Sequence, residues 1–354
     1  MTVQAMDWTE TRTEARGEPL RIAWAPFAHE HAPSGYGVIA RELRLALGQA
    51  GATILPATSF GWDCVVAVSL PSAWVIGATR QRPDLVYHSM YEMDRLPADW
   101  PPVLNGSGLV WVPSAYCETI FRESGVTAPM MRAGYGVDES IYHAGGRQRV
   151  DGPMRFIAWG AAFSGRKNLL MAARAFQAAH LPEREATLEI KVNENFGEPV
   201  FKNADGTHIP NITATAGNWP ASSVAEWLRA ADVLIYPSGG EGFGLQPLEA
   251  MACGVLPVCA YNTGMIDYLD ALPALRVPCP TRVPSASYSA IWKQTLLQWE
   301  PDFDALVEHI RWCYYNRDAV TARGAECAEL VARDWTWRQA GVRALAMLEA
   351  HFGP

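Results

Sequence analysis

The sequence predicts an α/β protein with two domains, each built on a parallel sheet that helices cover on both faces. Three observations lead to this fold class. The 354 residues are enough for two domains of ordinary size. Apolar residues make up 49% of the chain, which supplies the buried surface that such sheets need. Apolar strand-like runs alternate with helical patterns along most of the chain, as in parallel sheets with crossover helices.

The elements follow one another in that alternating order. Residues 20–26 predict a first strand, and residues 38–47 predict a helix because Ile39, Leu43 and Leu47 recur at a spacing of four. Further predicted strands cover residues 85–87, 109–112, 156–159, 187–192, 233–236 and 255–260. Further predicted helices cover residues 169–179 and 245–253, an amphipathic stretch that starts at Asp302, and a tail from Trp335 to Glu349.

The best candidate for a linker is the polar, glycine-rich stretch 144–153, which Pro153 closes just before a new strand. We therefore assign residues 1–149 to the first domain and residues 150–335 to the second. Residues 336–354 form a separate C-terminal helix.

Composition and charge limit where the protein is expected to be located and what it is expected to bind. The formal net charge of −8 disfavours a protein that binds nucleic acid through a broad basic surface. Residues 1–18 lack the apolar run of a secretory signal, and the most apolar segment, residues 64–79, contains Pro71 and is shorter than a bilayer span. The seven cysteines form no C-x-x-C pair, so neither a disulfide framework nor a zinc site is indicated. A cytoplasmic location is expected.

The first of three glycine loops lies before the helix at residues 38–47. Gly35, Gly37 and Ala40 satisfy the dinucleotide fingerprint G-x-G-x-x-A. However, the preceding strand is predicted to end near Pro26, which leaves a longer loop than that fingerprint uses. The alternative is a loop whose backbone N–H groups approach a ligand at the start of a helix.

The second loop carries an adjacent basic pair, Arg166 and Lys167. The stretch 160–168 is close to a P-loop, but Lys167 stands where a hydroxyl residue should hold magnesium. Two cations after a strand and before a helix are well placed to neutralise a diphosphate.

The third loop has four glycines in residues 239–244 and lies between a predicted strand and a predicted helix. Glu241 lies in this loop and Glu249 in the helix. Because a carboxylate accepts hydrogen bonds from two neighbouring hydroxyls, each is a candidate ligand for a sugar ring. Between them, the N–H groups of Phe243, Gly244 and Leu245 would meet a diphosphate at the helix N-terminus.

The segment 231–254 resembles the signature of retaining glycosyltransferases of family four. Weaker matches to the same family occur along most of the chain, in the order in which the family has them. They are Ser34-Gly35-Tyr36-Gly37, Glu92-Met-Asp94-Arg-Leu-Pro97, Val112-Pro113-Ser114, Gly136-Val137-Asp138 and Arg166-Lys167-Asn168.

The resemblance implies the GT-B fold: two facing Rossmann-like domains with a cleft between them, and a last helix that crosses back to the first domain. The second domain would bind a nucleoside-diphosphate sugar as the donor substrate. By motif position, Glu249 would bind the donor ribose and Glu241 the transferred sugar. Arg166 and Lys167 would stabilise the diphosphate as it leaves. Donor contacts are also expected from Gly35, Gly37, Gly242, Phe243, Gly244, Leu245, Thr263 and Gly264.

The resemblance implies no cofactor, no catalytic metal and no enzymic nucleophile. The only Asp-x-Asp, Asp302-Phe-Asp304, is interpreted as the start of a helix. His29-Glu30-His31 has no identifiable third ligand, so an acceptor-side role for His31 is preferred to a metal site. Glu92 and His88 are further acceptor-side candidates, although His88 fits a satisfied core histidine equally well.

The leading hypothesis is thus a retaining, metal-independent glycosyltransferase. An NAD(P)-dependent Rossmann-type oxidoreductase and a non-catalytic sugar-nucleotide-binding protein remain as alternatives. The acceptor is open among a glycan, a lipid and a small molecule, and the net charge disfavours a nucleic-acid acceptor. The sequence gives no oligomeric state.

Overall fold

The computed structural model describes residues 18–25, 34–71, 81–145, 152–161, 165–193, 209 and 211–353. Within these ranges the chain forms two six-stranded parallel sheets and one small antiparallel hairpin. The predicted α/β class with two parallel sheets is therefore confirmed.

The first sheet is built from the N-terminal part of the chain. Its strands are β1 (Arg21–Ala25), β2 (Thr53–Pro56), β3 (Cys64–Val68), β4 (Arg82–His88), β5 (Ser107–Val112) and β6 (Met130–Arg132), and its helices are α1 (Gly35–Ala50), α2 (Trp100–Leu104) and α3 (Ala115–Glu123). The strand order is β2-β1-β3-β4-β5-β6, and every pair is parallel. Chain order reverses between β1 and β3, and such a reversal leaves a crevice at the carboxyl ends of the strands.

The second sheet repeats the plan. Its strands are β7 (Met154–Gly160), β8 (Ala186–Val192), β9 (Ile212–Ala216), β10 (Val233–Tyr236), β11 (Leu256–Ala260) and β12 (Leu275–Val277), with helices α4 (Leu169–Ala178), α5 (Ala221–Arg229), α6 (Leu245–Ala252) and α7 (Ile266–Leu269). The parallel order is β12-β11-β10-β7-β8-β9, so the reversal lies between β7 and β10. Every residue of β10 and β11 is buried, because helices cover both faces of this sheet.

A hairpin segment, residues 281–300, follows β12. It consists of β13 (Thr281–Pro284), α8 (Ala286–Trp292) and β14 (Leu297–Glu300), and its two strands pair antiparallel. The sequence did not predict this segment, because each of its strands has only four residues and neither contains a fully buried residue.

Three helices end the chain: α9 (Phe303–Tyr315), α10 (Arg317–Asp334) and α11 (Trp337–Phe352). The α9 helix begins as predicted, since the side chain of Asp302 accepts a hydrogen bond from Ala305 N–H as its N-cap. The α11 helix packs on α1 so closely that a Cβ at Gly341 would lie 2.4 Å from the carbonyl oxygen of Ala46. No helix in the described ranges is long and apolar enough to cross a bilayer.

Two stretches of chain run side by side between the sheets. Val137 N–H donates to Trp335 O at 2.9 Å, and Trp337 N–H donates to Val137 O at 3.1 Å. A Cβ at Gly136 would lie 2.1 Å from the carbonyl carbon of Thr336, so only glycine fits this crossing. Most of the predicted linker 144–153 lies outside the described residues, and the predicted domain boundaries stay a prediction.

Candidate active site

The three candidate ionic groups meet at the carboxyl ends of β7 and β10, where the order of the second sheet reverses. Arg166 and Lys167 follow β7, and Glu241 follows β10. Loops at such a reversal leave to opposite faces of the sheet and open a crevice between them. Gly239 N–H donates to Arg166 O at 2.7 Å, and this bond holds the two loops together.

The backbone of Glu241 is fixed by the loop after β11. Its N–H donates to Thr263 Oγ1 at 2.8 Å, and its carbonyl accepts from Gly264 N–H at 3.0 Å. Gly264 has no space for a side chain, since a Cβ would lie 2.1 Å from Gly242 O. Thr263 adopts φ +50°, a conformation that costs a threonine free energy and that the surrounding bonds maintain.

One oxygen of the Glu241 carboxylate, Oε1, collects the nearby donors. Arg166 Nη1 and Lys167 Nζ each lie 2.8 Å from it. The hydroxyls of Tyr236, at 2.9 Å, and Ser238, at 2.5 Å, donate to the same oxygen. All four of these contacts are made to Oε1 and none of them to the other oxygen, Oε2.

The cluster holds two cations against one carboxylate in a buried setting. Burial by itself raises the pKa of Glu241, but the charges of Arg166 and Lys167 outweigh it and hold that pKa at about 2. Burial lowers the pKa of Lys167, and the Glu241 carboxylate opposes that shift. Glu241 is thus ionised at neutral pH, and it holds both cations at the crevice.

Glu249 lies on α6, eight residues after Glu241 in the chain, in a very different environment. Its side chain is buried and accepts a hydrogen bond from the Tyr142 hydroxyl. Burial raises its pKa to about 7, and the charge of Glu42 adds to the shift, while the Tyr142 hydrogen bond and Lys167 oppose it. The pKa values of two carboxylates in one motif are therefore shifted in opposite directions.

The N-terminus of α6 points its backbone N–H groups toward the crevice without a capping side chain. Gly244 precedes the helix at φ +87°, and Leu245 is its first residue. The Phe243 ring packs among Tyr135, Tyr268 and Trp335. Any donor contact of Phe243 is therefore limited to its backbone N–H.

On the side of the first sheet, α1 and the loop after β4 face this site. Ser34 caps α1 by accepting from Gly37 N–H at 3.2 Å, so Gly35 and Gly37 form the first turn. The hydroxyl of Tyr36 donates to Met90 O at 3.0 Å. The predicted helix start at residue 38 was three residues late, because the Ser34 cap extends the helix over the glycines.

The two sides are in direct contact at the glycine loop. Ser114 Oγ, at the start of α3, donates to Gly242 O at 2.7 Å, and Ala115 N–H donates to the Asp267 carboxylate at 2.9 Å. A Cβ at Gly240 would lie 2.3 Å from Glu92 O. The glycines of this loop thus allow the backbone to approach the first sheet.

The predicted acceptor-side residues differ in their positions. The Glu92 carboxylate lies 3.7 Å from Arg166 Nη2, and burial raises its pKa. His88 is fully buried: its Nδ1 donates to Trp111 O, and its Nε2 accepts from the Tyr135 hydroxyl at 2.7 Å. This matches the core interpretation, and burial lowers its pKa to about 3. A contact between His88 and the acceptor stays a prediction, and the complete burial of His88 does not favour it. His31 lies outside the described residues.

Several residues of the site were not predicted. Tyr236 and Ser238 contact Glu241, and the side-chain oxygen of Gln246 accepts from Lys167 Nζ at 2.8 Å. Tyr142 reaches the site from the segment between the two sheets, and Ser114 reaches it from the first sheet. Tyr236, Ser238 and Gln246 lie within or beside the glycine motif and could have been found there, whereas nothing in the sequence pairs Tyr142 with Glu249.

Clustered metal ligands and disulfide bonds are both absent from the described ranges. No group of three or more His, Cys, Asp or Glu residues there is arranged to hold a metal ion. None of the seven cysteines forms a disulfide bond.

Comparison with known proteins places this geometry in context. A family model described as "Family 4 Glycosyltransferase in conflict systems" matches residues 125–344, well over half of the chain. A D-inositol 3-phosphate glycosyltransferase from Pseudarthrobacter chlorophenolicus is 30% identical over 185 residues, which cover 46% of this chain and 41% of that protein. The match thus spans less than half of that relative's length.

Solved structures share the fold at low sequence identity. A sucrose-phosphate synthase from Thermosynechococcus elongatus superposes with a TM-score of 0.69 at 15% identity, covering 95% of this chain and 99% of that one. The Anabaena protein HepE, solved in complex with UDP and glucose, gives a TM-score of 0.64 at 14% identity and covers 94% and 99%. The predicted GT-B architecture is therefore confirmed.

Proposed function

Because the chain belongs to the family 4 glycosyltransferases, we propose that it transfers a sugar from a nucleoside-diphosphate sugar to an acceptor hydroxyl, with retention of anomeric configuration. Family membership removes the oxidoreductase alternative. The loop between β1 and α1 agrees, since nine residues separate Ala25 from Gly35 where the dinucleotide fingerprint uses a tight turn.

One observation carries the proposal: Arg166 and Lys167 lie together at the switch point, with side chains only 8% and 13% exposed, and share the oxygen Oε1 of Glu241. Two cations held in a crevice would stabilise the negative charge that grows on the diphosphate as the glycosidic bond breaks. Such an interaction strengthens toward the transition state and therefore raises turnover.

The donor is proposed to lie along α6. The diphosphate would accept from the N–H groups at residues 243–245, and Glu249 would accept from the ribose hydroxyls. Glu241 Oε2 would accept from a hydroxyl of the transferred sugar, while Gly242, Thr263 and Gly264 shape the backbone beside it. Gly35 and Gly37 would approach the donor from the first sheet.

We also propose that transfer requires no metal ion, since Arg166 and Lys167 would offset the charge of the diphosphate in its place. Activity that survives an excess of EDTA would agree with this part. Activity that EDTA abolishes and Mg²⁺ or Mn²⁺ restores would contradict it and leave the transferase assignment intact.

The first experiment is a thermal-unfolding panel of nucleoside diphosphates and their sugars, with UDP and UDP-glucose included because HepE was solved with UDP and glucose. A ligand that binds only the folded chain raises the unfolding temperature with its concentration. Release of nucleoside diphosphate or transfer of the sugar then separates an enzyme from a non-catalytic binding protein. A panel that produces no shift would contradict the proposal.

The second experiment tests the basic pair. Lys167→Ala should lower kcat about 10²-fold, as loss of one preorganised charge donor does in other enzymes. Arg174→Ala is the matched control, because Arg174 is exposed on the neighbouring helix α4. Equal kcat values in Lys167→Ala and the control would contradict the proposed role of Lys167 in stabilising the leaving diphosphate.

A further inference from the structure

The hairpin segment, residues 281–300, emerges from the second sheet but packs on the first. Leu296 is fully buried in the apolar cluster that contains Tyr91 and Trp100. Leu297 N–H donates to the Asp94 carboxylate at 2.7 Å, and Asp94 N–H donates to Leu297 O at 3.1 Å. The segment therefore bridges the two halves of the molecule beside the proposed active site.

Tyr288, on α8 of this segment, stands where the two halves meet. Its ring centroid lies 6.1 Å from that of Tyr91, and the Arg166 guanidinium carbon lies 5.8 Å from the Tyr288 ring. Glu92, next to Tyr91 in the chain, lies 3.7 Å from Arg166. Tyr91, Glu92, Arg166 and Tyr288 thus surround one place on the first-sheet side of Glu241.

Polar atoms without partners concentrate at this place. Of the buried side-chain polar atoms in the described ranges, seven have no hydrogen-bond partner, and four of these are tryptophan indole nitrogens. The other three are Tyr91 Oη, Arg166 Nε and Ser285 Oγ, and Ser285 is the N-cap of the helix that carries Tyr288. Tyr91 and Arg166 both contact the Tyr288 ring, and Ser285 begins the helix that carries it. Because a buried donor without a hydrogen bond destabilises the folded chain, these donors point to a ligand that supplies oxygen atoms.

The groups present define the chemistry of that ligand. Tyrosine and serine hydroxyls and Arg166 Nε donate, the Glu92 carboxylate accepts, and the Tyr91 and Tyr288 rings offer apolar faces. A sugar or polyol combines hydroxyls that donate and accept with an apolar C–H face, and it matches this set.

The charge of this place disfavours a phosphorylated acceptor relative to a neutral one. Arg166 and Lys167 already face the carboxylates of Glu241 and Glu92, and the proposed function assigns both cations to the donor diphosphate. A phosphate on the acceptor would bring a second anion beside Glu92 without a further cation among the surrounding residues named above. Like charges at short range in a buried site repel strongly.

We propose that Tyr91, Glu92, Tyr288 and Ser285 form a subsite for an uncharged, polyhydroxylated acceptor, and that the hairpin segment completes it. The inference rests on the proposed function, since the acceptor hydroxyl must face the donor sugar held by Glu241. It gives the hairpin segment a role in acceptor choice.

The test measures acceptor binding separately from donor binding. Saturation-transfer NMR measures the binding of glucose, myo-inositol and glucose 6-phosphate. Each is added to protein that already holds the nucleoside diphosphate giving the largest thermal shift. The neutral polyols should bind, and glucose 6-phosphate should bind about tenfold more weakly than glucose because of the repulsion from Glu92. Equal or tighter binding of the phosphate, or no binding of either neutral compound, overturns the proposal.

Tyr91→Phe separates a ligand role from a structural one. It removes a hydroxyl that the protein leaves unsatisfied, so the thermal stability should stay level or rise while glucose binding weakens about tenfold. Tyr116→Phe is the matched control, because the Tyr116 hydroxyl donates to Met93 O at 2.5 Å; it should lose stability and keep glucose affinity. Unchanged affinity in Tyr91→Phe contradicts the subsite.

Glu92→Gln provides a third readout. It should narrow the difference in affinity between glucose and glucose 6-phosphate, and an unchanged difference would contradict the role of Glu92. In Tyr91→Phe and Tyr116→Phe the thermal shift by the nucleoside diphosphate should match the wild type. Absence of that shift in the wild type would instead count against the proposed function, so the two failures are distinguishable.

Discussion

Glu241 and Glu249 show how two identical side chains acquire opposite acid–base properties within one motif. Both are buried, and burial raises the pKa of each. Glu241 also receives two cations at 2.8 Å, which hold its pKa at about 2, whereas Glu249 receives mainly a tyrosine hydroxyl and keeps a pKa of about 7. The proximity of full charges decides the difference.

This contrast predicts a pH dependence of donor affinity. The ionised form of Glu249 accepts two hydroxyl hydrogen bonds, and the protonated form accepts them more weakly. Affinity for a nucleoside-diphosphate sugar should therefore rise with pH through about 7 in the wild type. It should be lower and nearly flat in Glu249→Gln. Calorimetric titration between about pH 5.5 and 8.5 measures both.

The stability of the folded chain changes with pH in the opposite direction to donor affinity. The folded chain holds the proton on Glu249 up to about pH 7, and an unfolded glutamate releases it near 4.5. Stability from this group is therefore full below pH 4.5 and is lost as pH rises toward 7, on the order of 3 kcal/mol at most. Denaturant unfolding of wild type and Glu249→Gln over this range should diverge, and parallel curves would contradict the shift.

At the scale of single residues, the sequence predicted the chemistry better than the contacts. Arg166, Lys167 and Glu241 could be selected because each follows a strand and belongs to a recognisable spacing. Tyr142, which bonds Glu249, could not be found, because the two residues meet only through the packing of separate segments. His88 shows the same limit: one histidine near a strand end fits a ligand or a core residue until its surroundings are known.

At the scale of elements, the active-site loop depends on backbone contacts that only glycine permits. The Glu241 loop lies against the loop after β11, and a Cβ at Gly264 would lie 2.1 Å from Gly242 O. The two loops therefore position Glu241 as a unit.

Gly264→Ala should force these loops apart. We expect a loss of about 1–3 kcal/mol in stability from the overpacking. Because the loop carries Glu241, kcat/KM should also fall at least about tenfold, the equivalent of 1.4 kcal/mol. Gly48→Ala on α1 is the control, since its Cβ would meet only Ile54 at 3.6 Å; it should gain about 0.5–1 kcal/mol and keep its activity. Comparable kinetics in both variants would refute the argument.

Elements with a strong period were predictable, and elements fixed by context were not. The strands β8, β10 and β11 and the helices α4 and α6 agree with their predicted ranges within a few residues, because continuous apolar runs and glycine stops mark them. The hairpin segment was missed, since its stability comes from Leu296 and its neighbours packing on another part of the chain. Tertiary contact of this kind leaves no local pattern.

At the scale of the whole molecule, α11 attaches the end of the described chain to the first helix. Gly341 allows the two helix backbones to approach, because a Cβ there would lie 2.4 Å from Ala46 O. The sequence resemblance predicted that the last helix crosses back, but nothing in the sequence identified Gly341 as the point of contact.

Gly341→Val should separate α11 from α1. The added side chain would meet backbone, so we expect a loss of about 1–3 kcal/mol in the free energy of unfolding. Val342→Ala, one residue away and 46% exposed, is the control and should stay within about 0.5 kcal/mol of the wild type. Denaturant titration of both variants measures the difference, and equal midpoints would show that the helices do not depend on this contact.

The pairing of α1 with α11 also bears on how the chain folds during synthesis. The α1 helix leaves the ribosome before the whole second sheet, and the surface that Gly341 covers stays open until α11 has been made. The first sheet can collapse early, but its helix layer stays incomplete through translation of the second sheet. Contacts between such distant parts of a chain form slowly. Folding intermediates of this protein should therefore expose the apolar face of α1, which gives a chaperone a defined surface to bind.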